Sequence, residues 1–156
     1  MAERRFWLFK SEPNAYSYAD LQRDGVAEWD GVRNYQARNL LRDTIQEGDG
    51  ILFYHSSVAP MAVVGTAVVV RGGYPDETAW DPDSAHPDPK STPDNPVWYM
   101  VDIRADREFK SPVTLEAIKS TPGLEKMMVA QRGARLSIQP VTAEEWDIVT
   151  KMGSLG

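Results

Sequence analysis

The chain has 156 residues, a length that fits one domain with a sizeable core. It contains no cysteine, which excludes disulfides and thiolate metal sites. The net charge of −6 argues against broad electrostatic capture of nucleic acid. No apolar run is long enough to cross a bilayer, and the apolar stretch before Lys10 is too short for a signal peptide. We therefore expect a cytoplasmic protein with no membrane partner.

Most of the negative charge lies in one segment. Residues 72–96 hold six carboxylates, a single lysine and six prolines. No regular element fits this composition, so we interpret 72–96 as a long acidic excursion from a single domain spanning 1–156. The rest of the chain is close to neutral, which is compatible with a local basic face.

The first half of the chain predicts three strands and two helices. A capping box at Ser17 and Asp20 opens a short helix, and Asn34 is placed to cap a longer amphipathic one. A valine-rich strand carries Gly65, where a bulge is expected. The predicted elements are strand 5–10, helix 18–24, helix 35–46, strand 51–55 and strand 62–71.

The second half predicts two more strands and a C-terminal helix. Thr142 and Glu145 form a second capping box, and Gly153 is expected to stop the helix that it opens. Strands and helices do not alternate in βα units, which favours an α+β fold with a small, mostly antiparallel sheet curled into an open barrel. The predicted elements are strand 98–105, a helix from Thr114 to 119, a helical stretch 124–129, strand 135–139 ending at Pro140, and helix 142–152.

Common catalytic and cofactor motifs are missing from the sequence. It has no phosphate-binding loop, no dinucleotide fingerprint, no nucleophile elbow and no zinc-protease motif. The pattern Asp81-x-Asp83-x-x-His86-x-Asp88 has the wrong spacing for a calcium loop and is interpreted as a solvated turn. We therefore predict no cofactor, no metal site and no enzymatic activity.

Two short segments concentrate aromatic, amide, hydroxyl and cationic side chains. They are Lys10 to Pro13, which follows the first strand, and Trp29 to Asn39, which leads into a helix. This mixture suits a flat polar ligand such as a nucleobase, which stacks on an aromatic face while amides and hydroxyls read its edge. Other interpretations stay open: Trp29 covers the edge of the core, Asn34 only caps its helix, and His55 satisfies local backbone.

Five segments together resemble the EVE domain family, from about residue 4 to residue 152. The family implies a PUA-like open β-barrel of five to six strands with surrounding helices, similar to YTH domains. It also implies binding of nucleic acid that carries a modified base, with modified cytosine in DNA the leading candidate and DNA favoured over RNA. The segments are Phe9–Pro13, Gly31–Asn39, Phe53–Ser56, Asp88–Ser91 and Arg135–Pro140.

The resemblance also implies roles for individual residues. Lys10 and Ser11 would contact the edge of the base, and Trp29 would stack on a base flipped into the pocket. The other residues would shape the rim and two further walls. The candidate binding residues are Lys10, Ser11, Glu12, Trp29, Val32, Asn34, Tyr35, Gln36, His55, Ser56, Arg135, Ser137 and Gln139. If Trp29 has this role, Trp29→Ala should abolish the preference for a modified over an unmodified oligonucleotide and leave the melting temperature nearly unchanged.

Two other functions stay open. The chain could be an enzyme on a modified nucleotide or base, with Glu12 as the general acid or base. It could also be an adaptor whose acidic excursion holds a basic protein. The polar cluster, formed by Lys10 to Pro13 and Trp29 to Asn39, lies outside residues 72–96. Because the two regions are separate, a base-binding module and a protein adaptor would use different parts of the chain. The oligomeric state is not specified.

Overall fold

The computed structural model describes residues 4–133 and 135–154, so Ala134 and both ends of the predicted domain lie outside the described residues. The described residues form a six-stranded sheet with α-helices packed on it and short 3₁₀ turns. None of these helices combines the length and apolarity needed to span a membrane. The strands are β1 (Phe6–Ser11), β2 (Val26–Glu28), β3 (Gly50–His55), β4 (Ala62–Pro75), β5 (Tyr99–Thr114) and β6 (Ile138–Val141). The helices are α1 (Tyr18–Asp24), α2 (Tyr35–Asp43), α3 (Leu115–Ser120) and α4 (Ala143–Ser154).

The sheet has the order β2-β5-β4-β3-β1-β6. Only β1 and β3 run parallel, and every other pairing is antiparallel. The end strands β2 and β6 do not pair with each other, so the sheet stays open. The predicted α+β class and mostly antiparallel open sheet are confirmed.

A hydrophobic core lies on each face of the sheet. Side chains of β1 point alternately to the two faces, so this strand contributes residues to both cores. Trp7 and Phe9 point into the core under α1 and α2, whereas Leu8 points into the core under α3 and α4. All three side chains are buried. This explains why the first strand is apolar at successive positions rather than at every second one.

The predicted helix caps are confirmed. The Ser17 hydroxyl accepts from the Asp20 amide while the Asp20 carboxylate accepts from the Ser17 amide. Asn34 caps α2 by accepting from the Ala37 amide at 3.0 Å, and Thr114 caps α3. Thr142 and Glu145 form the second box. The expected bulge is also present, since the β4–β5 register shifts between Val63 and Gly65.

The predicted end of the second helix was wrong by three residues. The helix ends at Asp43 rather than at Gln46. The buried Asp49 carboxylate accepts from the Gln46 amide at 2.9 Å and from the Trp7 indole at 2.9 Å. These bonds hold the chain in a turn, because the amide of Gln46 is taken by a side chain instead of a helical carbonyl.

The sheet is larger than the sequence predicts. β5 continues to Thr114, nine residues past the predicted end, because β4 pairs along nearly its whole length. Its exposed middle, around Arg107, is polar and lacks the alternation that marks a strand. β2 has only three residues, too few to show any periodicity, and was not predicted.

Three further predictions near breaker residues were wrong. Pro140 lies within β6 instead of ending it, because β6 is an edge strand that pairs only with β1. Gly153 lies inside α4, where a Cβ atom would come within 2.3 Å of the Phe109 ring. The segment 72–96 is not free of regular structure, since β4 extends to Pro75 and a 3₁₀ helix spans Glu77–Trp80.

Candidate functional site

A pocket of about 860 Å³ opens where the two ends of the sheet face each other. One side is formed by Lys10 and Ser11 at the end of β1 and by Ser137 just before β6. The opposite side is formed by β2 (Val26–Glu28) and the loop that follows it. The pocket therefore lies at the open seam of the sheet, where the end strands β2 and β6 do not pair, and it is the candidate site.

Trp29 forms the aromatic wall of this pocket. Its ring centroid lies 5.5 Å from that of Phe9, 5.7 Å from that of Phe53 and 6.2 Å from that of Tyr16. Its amide donates to the Val101 carbonyl at 2.7 Å. The ring is half-buried against the core, which agrees with the interpretation that Trp29 covers the core edge. It also lines the pocket, and its stacking on a base stays a prediction.

Hydrogen bonds hold the β1 side of the pocket in place. The Ser11 hydroxyl donates to the Tyr16 carbonyl at 2.5 Å, which leaves its oxygen free only to accept. The Lys10 amide donates to the Ser137 carbonyl at 2.9 Å and so ties β1 to the start of β6. Burial lowers the pKa of the Lys10 ammonium.

Carboxylates dominate the β2 side of the pocket. Burial raises the pKa of Asp30. Burial also raises the pKa of Glu28, and repulsion from Asp102, Glu77 and Asp30 adds to this effect. Carboxylates only accept hydrogen bonds when ionised, so this side suits a ligand edge that donates them. The acidic residues that line the pocket are Glu12, Asp24, Glu28, Asp30 and Glu77.

A buried ion pair joins the acidic segment to the pocket loop. Asp76 is fully buried and accepts from the Gly31 amide and from the Arg33 guanidinium, both at 2.9 Å. Burial alone would raise the pKa of Asp76, but hydrogen bonds from Thr78, Gly31 and Arg33 outweigh it and lower that pKa. The start of the segment thus fixes the backbone directly after Trp29.

His86 closes the same network from the middle of the acidic segment. Its carbonyl accepts from Arg33 at 2.7 Å, and its ring packs so tightly on Gly31 that a Cβ atom there would lie 2.8 Å away. Its Nε2 lies 3.6 Å from the Asp30 carboxylate. Glu77 and Thr78 line the pocket directly. The expected separation between the polar cluster and residues 72–96 was therefore wrong: the segment is a wall of the pocket.

The structure brings seven of the candidate residues together and leaves six outside the pocket lining. The candidates that line the pocket are Lys10, Ser11, Glu12, Trp29, Val32, Asn34 and Ser137. Tyr35 and Gln36 are exposed on the first turn of α2, Arg135 is exposed, and Gln139 is buried. His55 is the last residue of β3, and Ser56 follows it. A binding role for any of these residues stays a prediction.

His55 and Gln139 have structural partners. The His55 Nε2 accepts from the Tyr18 amide at 3.1 Å and so satisfies the start of α1. Burial lowers the pKa of His55, which favours the neutral ring that this bond requires. The Gln139 amide donates to the Leu136 carbonyl at 2.9 Å. The His55 contact agrees with the interpretation that this side chain accepts a hydrogen bond from nearby backbone.

Sequence reasoning missed most of the β2 side of the pocket. Asp30 stands next to Trp29, but an Asp-Gly pair reads as an ordinary turn. Glu77 and Thr78 come from a segment that looked solvated, and only the fold shows that it returns to the pocket. The lining residues that were not candidates are Ala15, Tyr16, Asp24, Val26, Ala27, Glu28, Asp30, Gly31, Arg33, Glu77 and Thr78.

Comparison with known proteins identifies the family. Residues 5–152 match the family model of the EVE domain, and the chain belongs to this family. The resemblance drawn from sequence motifs is confirmed. Among the described residues, no group of histidines and carboxylates is arranged to hold a metal ion.

Relatives share both the sequence and the fold. Human thymocyte nuclear protein 1 is 40% identical over 94% of this chain and 72% of the relative. A Pseudomonas syringae protein of known structure is 47% identical, with a TM-score of 0.88 over 94% of this chain and 98% of that one. The structure of human THYN1 in complex with DNA containing 5-methylcytosine is 38% identical, with a TM-score of 0.86 over 96% and 97% of the two chains.

Proposed function

We propose that this protein is a non-catalytic module that binds a modified cytosine of DNA in the pocket at the open seam. The observation that carries the proposal is an aromatic and acceptor-rich pocket in a fold shared with human THYN1, which has been seen with 5-methylcytosine DNA. The cytoplasmic location expected from sequence is part of this proposal rather than a finding.

Trp29 supplies the stacking surface in this proposal. Stacking of a base on an aromatic side chain is worth about 1–3 kcal/mol, and extruding a paired base costs a few kcal/mol. Stacking alone therefore roughly offsets the cost of extrusion. Net affinity has to come from contacts with the edge of the base, so the residues on the β2 side of the pocket decide which base is retained.

Asp30 is the residue best placed to read the amino edge of cytosine. Its carboxylate lines the pocket one residue after Trp29, and the residue is exposed. Carboxylates accept from the N4 amino group of cytosine, and thymine presents an oxygen at the same position. Val26, Ala27 and Val32 add apolar surface to the lining, which suits a methyl group on the base.

The test compares three bases that isolate these two contacts. Single-stranded oligonucleotides carry cytosine, 5-methylcytosine or thymine at one position, and binding is followed by tryptophan fluorescence and calorimetry. Burying a methyl group is worth about 0.8 kcal/mol, so 5-methylcytosine should bind about fourfold more tightly than cytosine. The amino group should give 5-methylcytosine at least about a fivefold advantage over thymine, since such a contact is worth about 1–3 kcal/mol. Equal affinity for all three bases would rule out the proposal.

Asp30→Asn tests the residue itself. An asparagine amide can turn to donate to thymine, so the variant should lose most of its preference for 5-methylcytosine over thymine. Its preference for 5-methylcytosine over cytosine should stay the same, because the methyl contact is untouched. Asp94→Asn is the matched control, since it removes the same charge from an exposed position away from the lining.

The enzyme alternative has less support from the geometry. Glu12 lines the pocket, but it is exposed and its carboxylate contacts only the Ser57 hydroxyl, at 3.4 Å, among the described residues. A general acid or base acts best when a structured partner tunes it, and Glu12 has none of that kind among these contacts. Chromatography of modified nucleosides after incubation with the protein tests the point, because any conversion would contradict a purely binding role.

A further inference from the structure

A histidine of the acidic segment lies against the loop on the β2 side of the pocket. The ring of His86 packs on Gly31, and its Nε2 lies 3.6 Å from an oxygen of the Asp30 carboxylate. The side chains of His86 and Asp30 are 29% and 38% exposed, so water still reaches this pair in the unliganded protein. Asp30 lines the pocket and His86 does not, so a ligand would cover the carboxylate first.

The other ring nitrogen of His86 is held by Thr78. The Thr78 hydroxyl donates its single hydrogen to the buried Asp76 carboxylate, so its oxygen can only accept from the His86 Nδ1, at 2.9 Å. The Arg33 guanidinium comes within 3.3 Å of Nδ1, but its closer contact is the His86 carbonyl, at 2.7 Å. Nδ1 therefore carries a hydrogen, and in the neutral ring Nε2 presents a lone pair to the Asp30 carboxylate.

A proton on Nε2 would change this contact from repulsion to an ion pair. Burial raises the pKa of the Asp30 carboxyl, and the charge of a protonated His86 opposes that shift. Arg33 and Asp76 also lie beside the ring, Asp76 through Thr78, but these two charges neutralise each other. His86 is therefore the neighbour whose charge can respond when Asp30 loses water.

We propose that binding of a base against Asp30 causes His86 to take up a proton, so that an ion pair of His86 and Asp30 faces the base. This inference rests on the proposed function, because it gives a partner to the carboxylate that reads the amino edge of cytosine. A base that covers Asp30 removes water from a charge, which makes a positive charge 3.6 Å away more favourable. His86 is thus a positioning residue that keeps Asp30 ionised as an acceptor.

The sign of the pH dependence follows from the proton count. The bound protein holds more protons than the free protein, so affinity should rise as the pH falls through the range in which histidines change charge, about pH 8 to 5. Calorimetry with the 5-methylcytosine oligonucleotide at about pH 7.5, in two buffers of different ionisation enthalpy, counts the protons taken up. An uptake of about half a proton corresponds to about a threefold gain in affinity per pH unit.

Two variants remove the two partners of the pair. His86→Gln keeps a polar side chain that cannot take up a proton, and Asp30→Asn removes the charge that would retain the proton on His86. Both should lose the proton uptake. Glu28→Gln is the matched control and should keep the uptake, since it neutralises a second carboxylate of the lining whose pKa is also raised. No uptake by the wild type, uptake that survives His86→Gln, or uptake that is lost in Glu28→Gln would overturn the inference.

The ring nitrogens of His86 give a second measurement that needs no variant. Long-range nitrogen–proton spectra should show a hydrogen on Nδ1 in the free protein and more protonation of Nε2 when the oligonucleotide is added at constant pH. The Nε2 of His55, which accepts from the Tyr18 amide, is the reference for an unprotonated nitrogen. A bare Nδ1 on His86, or an Nε2 that does not respond to the bound oligonucleotide, would contradict the inference.

Failure of the proposed function would look different. A wild-type protein that binds cytosine, 5-methylcytosine and thymine equally would contradict base recognition, whatever happens at His86. The spectra of the free protein would then still test the pair, because Asp30→Asn should lower the fraction of His86 that is protonated on Nε2 at a given pH.

Discussion

The indole ring of Trp29 has a structural role in the core and a proposed role in binding. The ring packs on Phe9 and Phe53 in the core below α1 and α2, and it also forms the wall on which a base would stack. A platform that is already held by its neighbours loses little side-chain freedom when a ligand binds. The same packing means that the residue cannot be removed without cost to the fold.

Trp29→Ala should lower the free energy of unfolding by at least about 2 kcal/mol, because it takes a half-buried ring out of an aromatic cluster. This revises the expectation from sequence that the variant keeps its thermal stability. Urea unfolding measures the loss. Trp29→Phe keeps an aromatic ring against the core and should cost less than half as much, while stacking less well on a base.

The pair of variants therefore separates the two purposes of the ring. Binding that falls for Trp29→Phe, at temperatures where the variant is fully folded, assigns the loss to stacking. An alanine variant as stable as the wild type would show that the contacts with Phe9 and Phe53 contribute little.

At the scale of elements, the acidic segment 72–96 is a structural part of the pocket. Asp76 bonds Gly31, Arg33 and Thr78, and it is fully buried. A buried carboxylate needs such partners to offset its loss of hydration, and here the partners include the loop that carries Trp29 and Asp30. The segment and the pocket loop are therefore expected to be ordered together.

Asp76→Asn should destabilise the protein by about 2–3 kcal/mol, since it leaves the Arg33 charge half-buried without its counter-ion. It should also weaken oligonucleotide binding, although Asp76 does not line the pocket. Denaturant unfolding and fluorescence titration measure the two effects. Asp83→Asn is the control, because it removes the same charge from an exposed position of the segment. Unchanged binding by a destabilised Asp76→Asn protein would contradict the role of the segment as a pocket wall.

The sequence predicted those elements whose signals are local. Helix caps such as Ser17 and Asn34 act within three residues, so their patterns can be seen in the sequence alone. The ion pair of Arg33 and Asp76 joins positions 43 residues apart, and no local pattern indicates it. β2 was missed for a similar reason, because three residues become a strand only through pairing with β5. The β1 side of the candidate site was accordingly predicted at Lys10, Ser11, Glu12 and Ser137, whereas the β2 side was predicted only at Trp29, Val32 and Asn34.

At the scale of the whole molecule, the open seam is bounded by the two edge strands of the sheet, which have the fewest hydrogen bonds to neighbouring strands. β2 and β6 each pair on one side only, and β2 is the shorter of the two. The central strands β3 and β4 pair on both sides and carry the core residues of both faces. Local opening needs less free energy at such an edge than in the centre of a sheet.

Binding at the seam should therefore slow hydrogen exchange selectively. A ligand held between Trp29 and the β1 side has to be released before β2 can open, so the amides of Val26–Glu28 should gain protection. With free ligand at a hundred times Kd, exchange there slows by up to about 100-fold. Amides of β3 that exchange only by global unfolding should slow by the same factor, whereas amides that exchange by local openings that keep the ligand bound should not change.

Mass spectrometry of deuterium uptake, with and without a 5-methylcytosine oligonucleotide, measures the effect at β2. The unmodified oligonucleotide at the same total concentration serves as the control and should protect β2 less. If β2 gains no protection while the oligonucleotide is bound, the ligand does not bridge the two ends of the sheet. Because the edge strand and the base would then be uncoupled, the binding site would have to lie elsewhere on the molecule.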